Sequence, residues 1–185
     1  MYAMAEILFL CTGNLCRSPS AAWFFSRCVQ EGGPDGVTVS SAGILAEPGS
    51  RVPERLATEG RAVGLDLSGH DPRRVLPADL VRADLIVGMA REHVREVILK
   101  DTAFFPRAFT LRELVRRGRE RGQRDGEPLG AWLARLHAGR RPMDLIGDSG
   151  ADDIADPMGG TSEQFRHMLA ETAALSEELY ELMWP

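Results

Sequence analysis

Lysine is nearly missing from this chain of 185 residues: of 22 cationic side chains, only Lys100 is not an arginine. Such a bias suggests a GC-rich genome rather than a binding role. Aromatic residues are also sparse, at 6%, and the formal net charge is −5. Nucleic-acid surfaces are usually basic with interleaved aromatics, so no nucleic-acid partner is expected. Cysteine occurs three times, an odd count without secreted-framework spacing, which favours a reducing compartment. No apolar run approaches the ~20 residues that span a bilayer. The apolar run Ile7–Cys11 has no cationic region before it, so it does not read as a signal peptide. A cytoplasmic location and no membrane partner are expected. His93, His137 and His167 show no ligand spacing with cysteines or acids, so surface positions are expected for them, and neither metal nor cofactor. There are no internal repeats, and the length suits one domain over residues 1–185.

Against these absences stands Ile7-Leu8-Phe9-Leu10-Cys11-Thr12-Gly13-Asn14-Leu15-Cys16-Arg17-Ser18-Pro19. The apolar run before Cys11 reads as a buried parallel strand. Ser18 is a good N-cap and Pro19 suits a first helical position, so a helix is expected to start just after Arg17. Its first N–H groups lack intrahelical partners and its dipole is positive there, which favours an anion. Gly13 and Asn14 tolerate positive φ and let the loop curl with its N–H groups inward. Arg17 can present two parallel donors to phosphate oxygens. The same electrostatics favour the thiolate of Cys11, with a hydroxyl hydrogen bond from Ser18. A thiolate, an amide nest and a guanidinium around one tetrahedral anion form a nucleophilic phosphate site, with Thr12, Gly13, Asn14, Leu15, Cys16, Arg17 and Ser18 lining it.

The stretch from Cys11 to Pro19 resembles the signature loop of the low-molecular-weight protein tyrosine phosphatases. The resemblance covers about residues 5–111 and 144–183. It implies that Cys11 attacks the phosphate, Arg17 clamps it and Ser18 activates the sulfur. It also implies that Asn14 ties the loop to Ser41 and His70, and that Asp156, before Pro157, is the general acid. Asp153 is the fallback acid. Family members usually carry an aromatic residue after Asp-Pro; Met158, Gly159 and Gly160 follow here and imply an open or flexible wall. A related branch that removes phosphate from arginine carries Thr where this chain has Leu15, so the aliphatic residue fits the tyrosine branch. Cys16 could form a disulfide with Cys11 after peroxide oxidation. Cys28, beside Phe24 and Phe25, reads as a core thiol.

Strands alternate with helices along the chain. Strands are expected at Glu6–Cys11, Val37–Ser41, Asp84–Met89 and Ala108–Leu111, and helices at Ser18–Gln30, Pro53–Val63, Arg91–Lys100 and Leu129–Leu136. Thr161 with Gln164 makes a capping box for a last helix. These units imply an α/β fold, doubly wound, with a four-stranded parallel sheet and helices on both faces. Cys11 falls at its switch point, where ligands of such sheets bind.

Residues 112–142 carry nine Arg against four acids, and residues 143–185 carry ten acids against one Arg. The basic segment reads as an insertion. It is either a helix end and loop paired with the acidic C-terminal region, or a steering surface for an anionic substrate. The chain is therefore expected to hydrolyse a phosphorylated protein or small phosphomonoester through a phosphocysteine, as a monomer or weak dimer. A thiol-dependent arsenate reductase uses the same loop, but wants a relay cysteine near residues 80–90, and this chain has none there. A non-enzymatic phosphate-binding module would not need Cys11, Arg17 and Asp156 together.

Overall fold

The structure, a computed structural model, describes residues 4–147 and 150–185. Four parallel strands form one sheet: β1 (Ala5–Cys11), β2 (Val37–Gly43), β3 (Leu85–Gly88) and β4 (Ala108–Thr110), in the order β2-β1-β3-β4. The order reverses at β1, which pairs with β2 on one side and β3 on the other. Cys11 ends that strand, at the reversal.

Alternation along β1 divides the core in two. Ile7, Phe9 and Cys11 face one layer with Phe24, Phe25, Phe109, Trp132 and Phe165. Leu8 and Leu10 face the other, with Leu80, Ile86, Val94, Val97 and Phe105. The first layer is covered mainly by α1 (Arg17–Gly32), α5 (Leu111–Arg121) and α7 (Ser162–Met183), and the second mainly by α3 (Pro77–Arg82) and α4 (Arg91–Lys100). Among the described residues the other α-helices are α2 (Glu54–Arg61) and α6 (Leu129–His137). Phe9 is fully buried, and its truncation to Ala would cost roughly 3–5 kcal/mol. Among the described residues no helix is long and apolar enough to cross a membrane.

Two helices, α3 and α5, go beyond the sequence reading. α5 follows β4 without a loop: the Thr110 hydroxyl accepts the Glu113 N–H at 3.1 Å and caps it. The last helix starts as expected, with Thr161 and Gln164 exchanging hydrogen bonds. The Arg-rich segment pairs with acids elsewhere in the chain. Arg112 reaches Glu171, Arg119 reaches Glu178, and Arg116 reaches Asp152 at 3.1 Å.

Three expectations need correction. Ser18 is not the N-cap: α1 begins at Arg17 with Cys16 before it, so Ser18 lies inside the first turn. Cys28 is half-buried, because its side of α1 meets the boundary with α7 rather than the core. Of the three histidines expected at the surface, only His167 is exposed. His137 is half-buried, edge-on to Phe105 at 4.8 Å, and burial followed by Arg140 lowers its pKa. His93 is 2% exposed, because α4 turns its third residue inward beneath the loop after Cys11.

Candidate active site

The loop after β1 closes around the sulfur of Cys11. Asn14, at φ 56°, takes the left-handed turn that points its N–H back at Cys11 Sγ, 3.2 Å away. The Ser18 hydroxyl donates to the same sulfur at 3.0 Å, the hydrogen bond expected of it, although it does not cap the helix.

Asn14 also anchors the loop. Its amide nitrogen donates to Ser18 Oγ at 3.0 Å and Ser41 Oγ at 2.9 Å. Its side-chain oxygen accepts the Arg73 N–H at 3.1 Å, and His70 Nε2 lies 2.8 Å from its carbonyl. These bonds tie together β1, β2 and the segment before α3. Gly43 at the end of β2 is required by closeness: a Cβ there would stand 2.7 Å from the Thr12 carbonyl and 2.9 Å from the Asn14 nitrogen. The Arg73 amide and Gly43 carried no sequence signal of their role, because both act through the backbone.

Arg17 is 5% exposed, and its guanidinium faces the loop mouth. Nη2 donates to Asp156 Oδ2 at 2.6 Å and to Thr12 Oγ1 at 3.3 Å, and Nη1 donates to the Ile154 carbonyl at 3.3 Å. Asp153, the alternative acid, is occupied elsewhere, accepting the Arg91 N–H at 2.7 Å at the start of α4. Ile154 N–H donates to the Met89 carbonyl at 2.8 Å and fixes the acid-bearing loop beyond β3. A cleft of about 350 Å³ opens beside Arg17 and Asp156, with Arg91 and Arg95 on its far wall.

Cys16 is buried on the other flank, and its thiol donates to Met158 Sδ at 3.3 Å. Met158 therefore lies against the loop, although half of its surface stays exposed. Burial first, then the charges of Asp156 and Cys11, push the Cys16 thiol up to about 12. It stays protonated beside Cys11, and neither cysteine is in a disulfide. Among the described residues no cluster of three or more His, Cys, Asp or Glu side chains could hold a metal ion. The expected site residues, from Cys11 through Ser18 with Ser41, His70 and Asp156, thus come together around one point. His93 is a further contact of the site that the sequence does not announce: its Nε2 lies 3.1 Å from Thr12 Oγ1.

Residues 6–124 match the family model described as low molecular weight phosphotyrosine protein phosphatase. The chain belongs to that family. The match runs through α5 and ends within the Arg-rich segment. The family is one of cysteine-dependent phosphatases, and this chain is one of them. A protein-arginine-phosphatase of Bacillus subtilis (strain 168) is 31% identical over 112 residues, 60% of this chain and 72% of that protein. Low molecular weight protein-tyrosine phosphatase A of Mycobacterium tuberculosis (strain ATCC 25618 / H37Rv) is 40% identical over 92 residues, 49% of this chain and 55% of that protein. The solved arginine phosphatase YwlE of Geobacillus stearothermophilus superposes with a TM-score of 0.69 at 26% identity, covering 96% of this chain and 91% of that one.

Proposed function

We propose that this phosphatase acts on phosphorylated protein side chains, phosphotyrosine foremost, with Cys11 as nucleophile, Arg17 and the loop amides as the clamp, and Asp156 as acid and then base. The observation that carries the reading is the pair of hydrogen bonds into Cys11 Sγ, at 3.0 and 3.2 Å, facing an Arg17–Asp156 pair at 2.6 Å.

The thiolate attacks phosphorus as the P–O bond to the leaving group breaks, and Asp156 passes its proton to the departing oxygen. The equatorial oxygens meet the loop N–H groups and the Arg17 fork, which stabilise the charge as it spreads. Water then attacks the phosphocysteine, Asp156 takes its proton, and the S–P bond breaks to free phosphate and thiolate. An arriving dianion competes with Asp156 for Arg17. Asp156 is free to respond, since 43% of its side chain is exposed.

Substrate choice rests on the rim. Leu15 on the loop is half-buried, and Leu45 and Met158 expose apolar surface. Such a rim suits an aryl leaving group. Phosphoarginine is the second reading, favoured by the protein-arginine-phosphatase of Geobacillus stearothermophilus, which is 27% identical over 95% of this chain. Initial rates on matched phosphotyrosine and phosphoarginine peptides, with EDTA present, separate the two. A kcat/KM higher for phosphoarginine overturns the aryl preference, and no turnover of either overturns the proposal. Asp156→Asn should slow phosphotyrosine hydrolysis by about 10²-fold, and p-nitrophenyl phosphate less, because p-nitrophenolate leaves without a proton. Equal losses on both would remove Asp156 from the acid role.

A further inference from the structure

His93 is a buried titratable side chain with no part in the mechanism above. It is the third residue of α4, and the Ala90 N–H donates to its Nδ1 at 2.9 Å. That nitrogen therefore carries no proton. Burial, then the nearby charge of Arg17, lowers the His93 pKa to about 3. The ring is neutral at working pH, and its single proton sits on Nε2.

Nε2 lies 3.1 Å from Thr12 Oγ1 and 3.4 Å from Glu92 Oε1. Thr12 Oγ1 also accepts from Arg17 Nη2 at 3.3 Å. A hydroxyl has two acceptor sites and one proton. With His93 and Arg17 filling both acceptor sites, the Thr12 proton cannot turn towards either and is left to donate. Its oxygen is in reach of the same guanidinium that clamps the anion.

We infer that His93 is a positioning residue: its Nε2–H orients the Thr12 hydroxyl so that its proton points at the phosphoryl group, adding a side-chain donor to the amide cradle. The device orients a proton that is already present, so no proton moves through His93. The inference rests on the reading of the Cys11–Arg17 loop as a phosphate cradle.

Two substitutions separate this from a plain capping role. In His93→Asn the side-chain oxygen can take the Ala90 N–H, but nothing reaches Thr12. In His93→Gln the amide supplies both the acceptor and the donor. His93→Asn should lower kcat on p-nitrophenyl phosphate about tenfold with KM within about threefold, and His93→Gln should recover most of it. Thr12→Val should cost a similar factor, and adding His93→Asn to it should cost less than about twofold more. Melting temperatures should follow the cap and stay close to wild type in Asn and Gln. Losses that multiply in the double variant, a kcat unchanged in His93→Asn, or no recovery in His93→Gln would each overturn the inference. Calorimetric binding of inorganic phosphate to Cys11→Ser tests the cradle separately: absence of binding there defeats the cradle reading, whatever the His93 variants do.

Discussion

Arg17 is 5% exposed and pairs with an Asp156 that is 43% exposed, whereas Arg140 is 2% exposed and pairs with a Glu113 that is 10% exposed. Arg140 gives two hydrogen bonds to Glu113, at 2.7 and 2.9 Å, and others to the Phe105 and Ala108 carbonyls at 2.9 and 2.7 Å. Its guanidinium also lies 3.9 Å from the Phe109 ring centre. Its carboxylate partner is itself buried, and its carbonyl partners belong to the backbone around β4. Arg17 is as deeply set, but its carboxylate partner stands at the surface on the loop after Ile154 and can be exchanged for an anion. The two arginines differ in the exposure of their partners, not in their own burial.

Arg17→Lys should separate the two regions most strongly. Lysine keeps the charge and loses the planar fork, so kcat should fall by about 10³-fold while thermal stability stays within about 1 kcal/mol. Turnover near wild type would mean that charge alone suffices at the loop.

Arg140→Met is the mirror experiment. It leaves Glu113 buried without its main partner, and chemical denaturation should show a loss of about 3–5 kcal/mol, while kcat of the folded fraction stays near wild type. A tenfold fall in kcat, with stability kept, would place the Arg-rich segment in the reaction and revive its reading as a steering surface.

The pH dependence of stability gives a smaller effect. His93 is neutral in the fold, with a pKa of about 3, against an ordinary value of 6.5. The unfolded chain therefore binds one more proton between those values, so stability falls as pH drops from 6.5 towards 3, by up to about 1.4 kcal/mol per unit from this group. Denaturation curves across that window should be less steep in pH for His93→Gln than for wild type. Parallel curves would show that His93 does not titrate on unfolding as described.

The smallest effect is expected at the surface. Arg119 is 62% exposed beside Glu178, so a double-mutant cycle should give a coupling of about 0–1 kcal/mol. A larger value would make the exposed arginines part of the framework that Arg140 occupies.

Much of the site was legible because it is local. Cys11, Asn14, Arg17 and Ser18 fall within one strand-loop-helix unit, and their geometry follows from the strand end, one left-handed residue and the first turn of α1. The corrections arose where two distant parts of the chain meet. His137 sits at the end of a short helix, and its half-burial depends on Phe105 standing edge-on to it from another segment. His93 has a polar side chain on an otherwise ordinary helix start, and its burial depends on the Thr12 loop lying above it.

The sequence by itself determined the strand-helix alternation, the thiol at the end of the first strand, the left-handed turn at Asn14 and the Thr161–Gln164 cap, since each depends on residues a few positions apart. Only the tertiary structure decided that Asp156 rather than Asp153 meets Arg17, that His93 lies beneath Thr12, and that the arginines of α5 pair with Asp152, Glu171 and Glu178. The physical reason is range. Backbone conformation is governed by neighbouring residues, whereas the partner of a charge or a hydroxyl is selected by which helices and loops the packed core brings side by side.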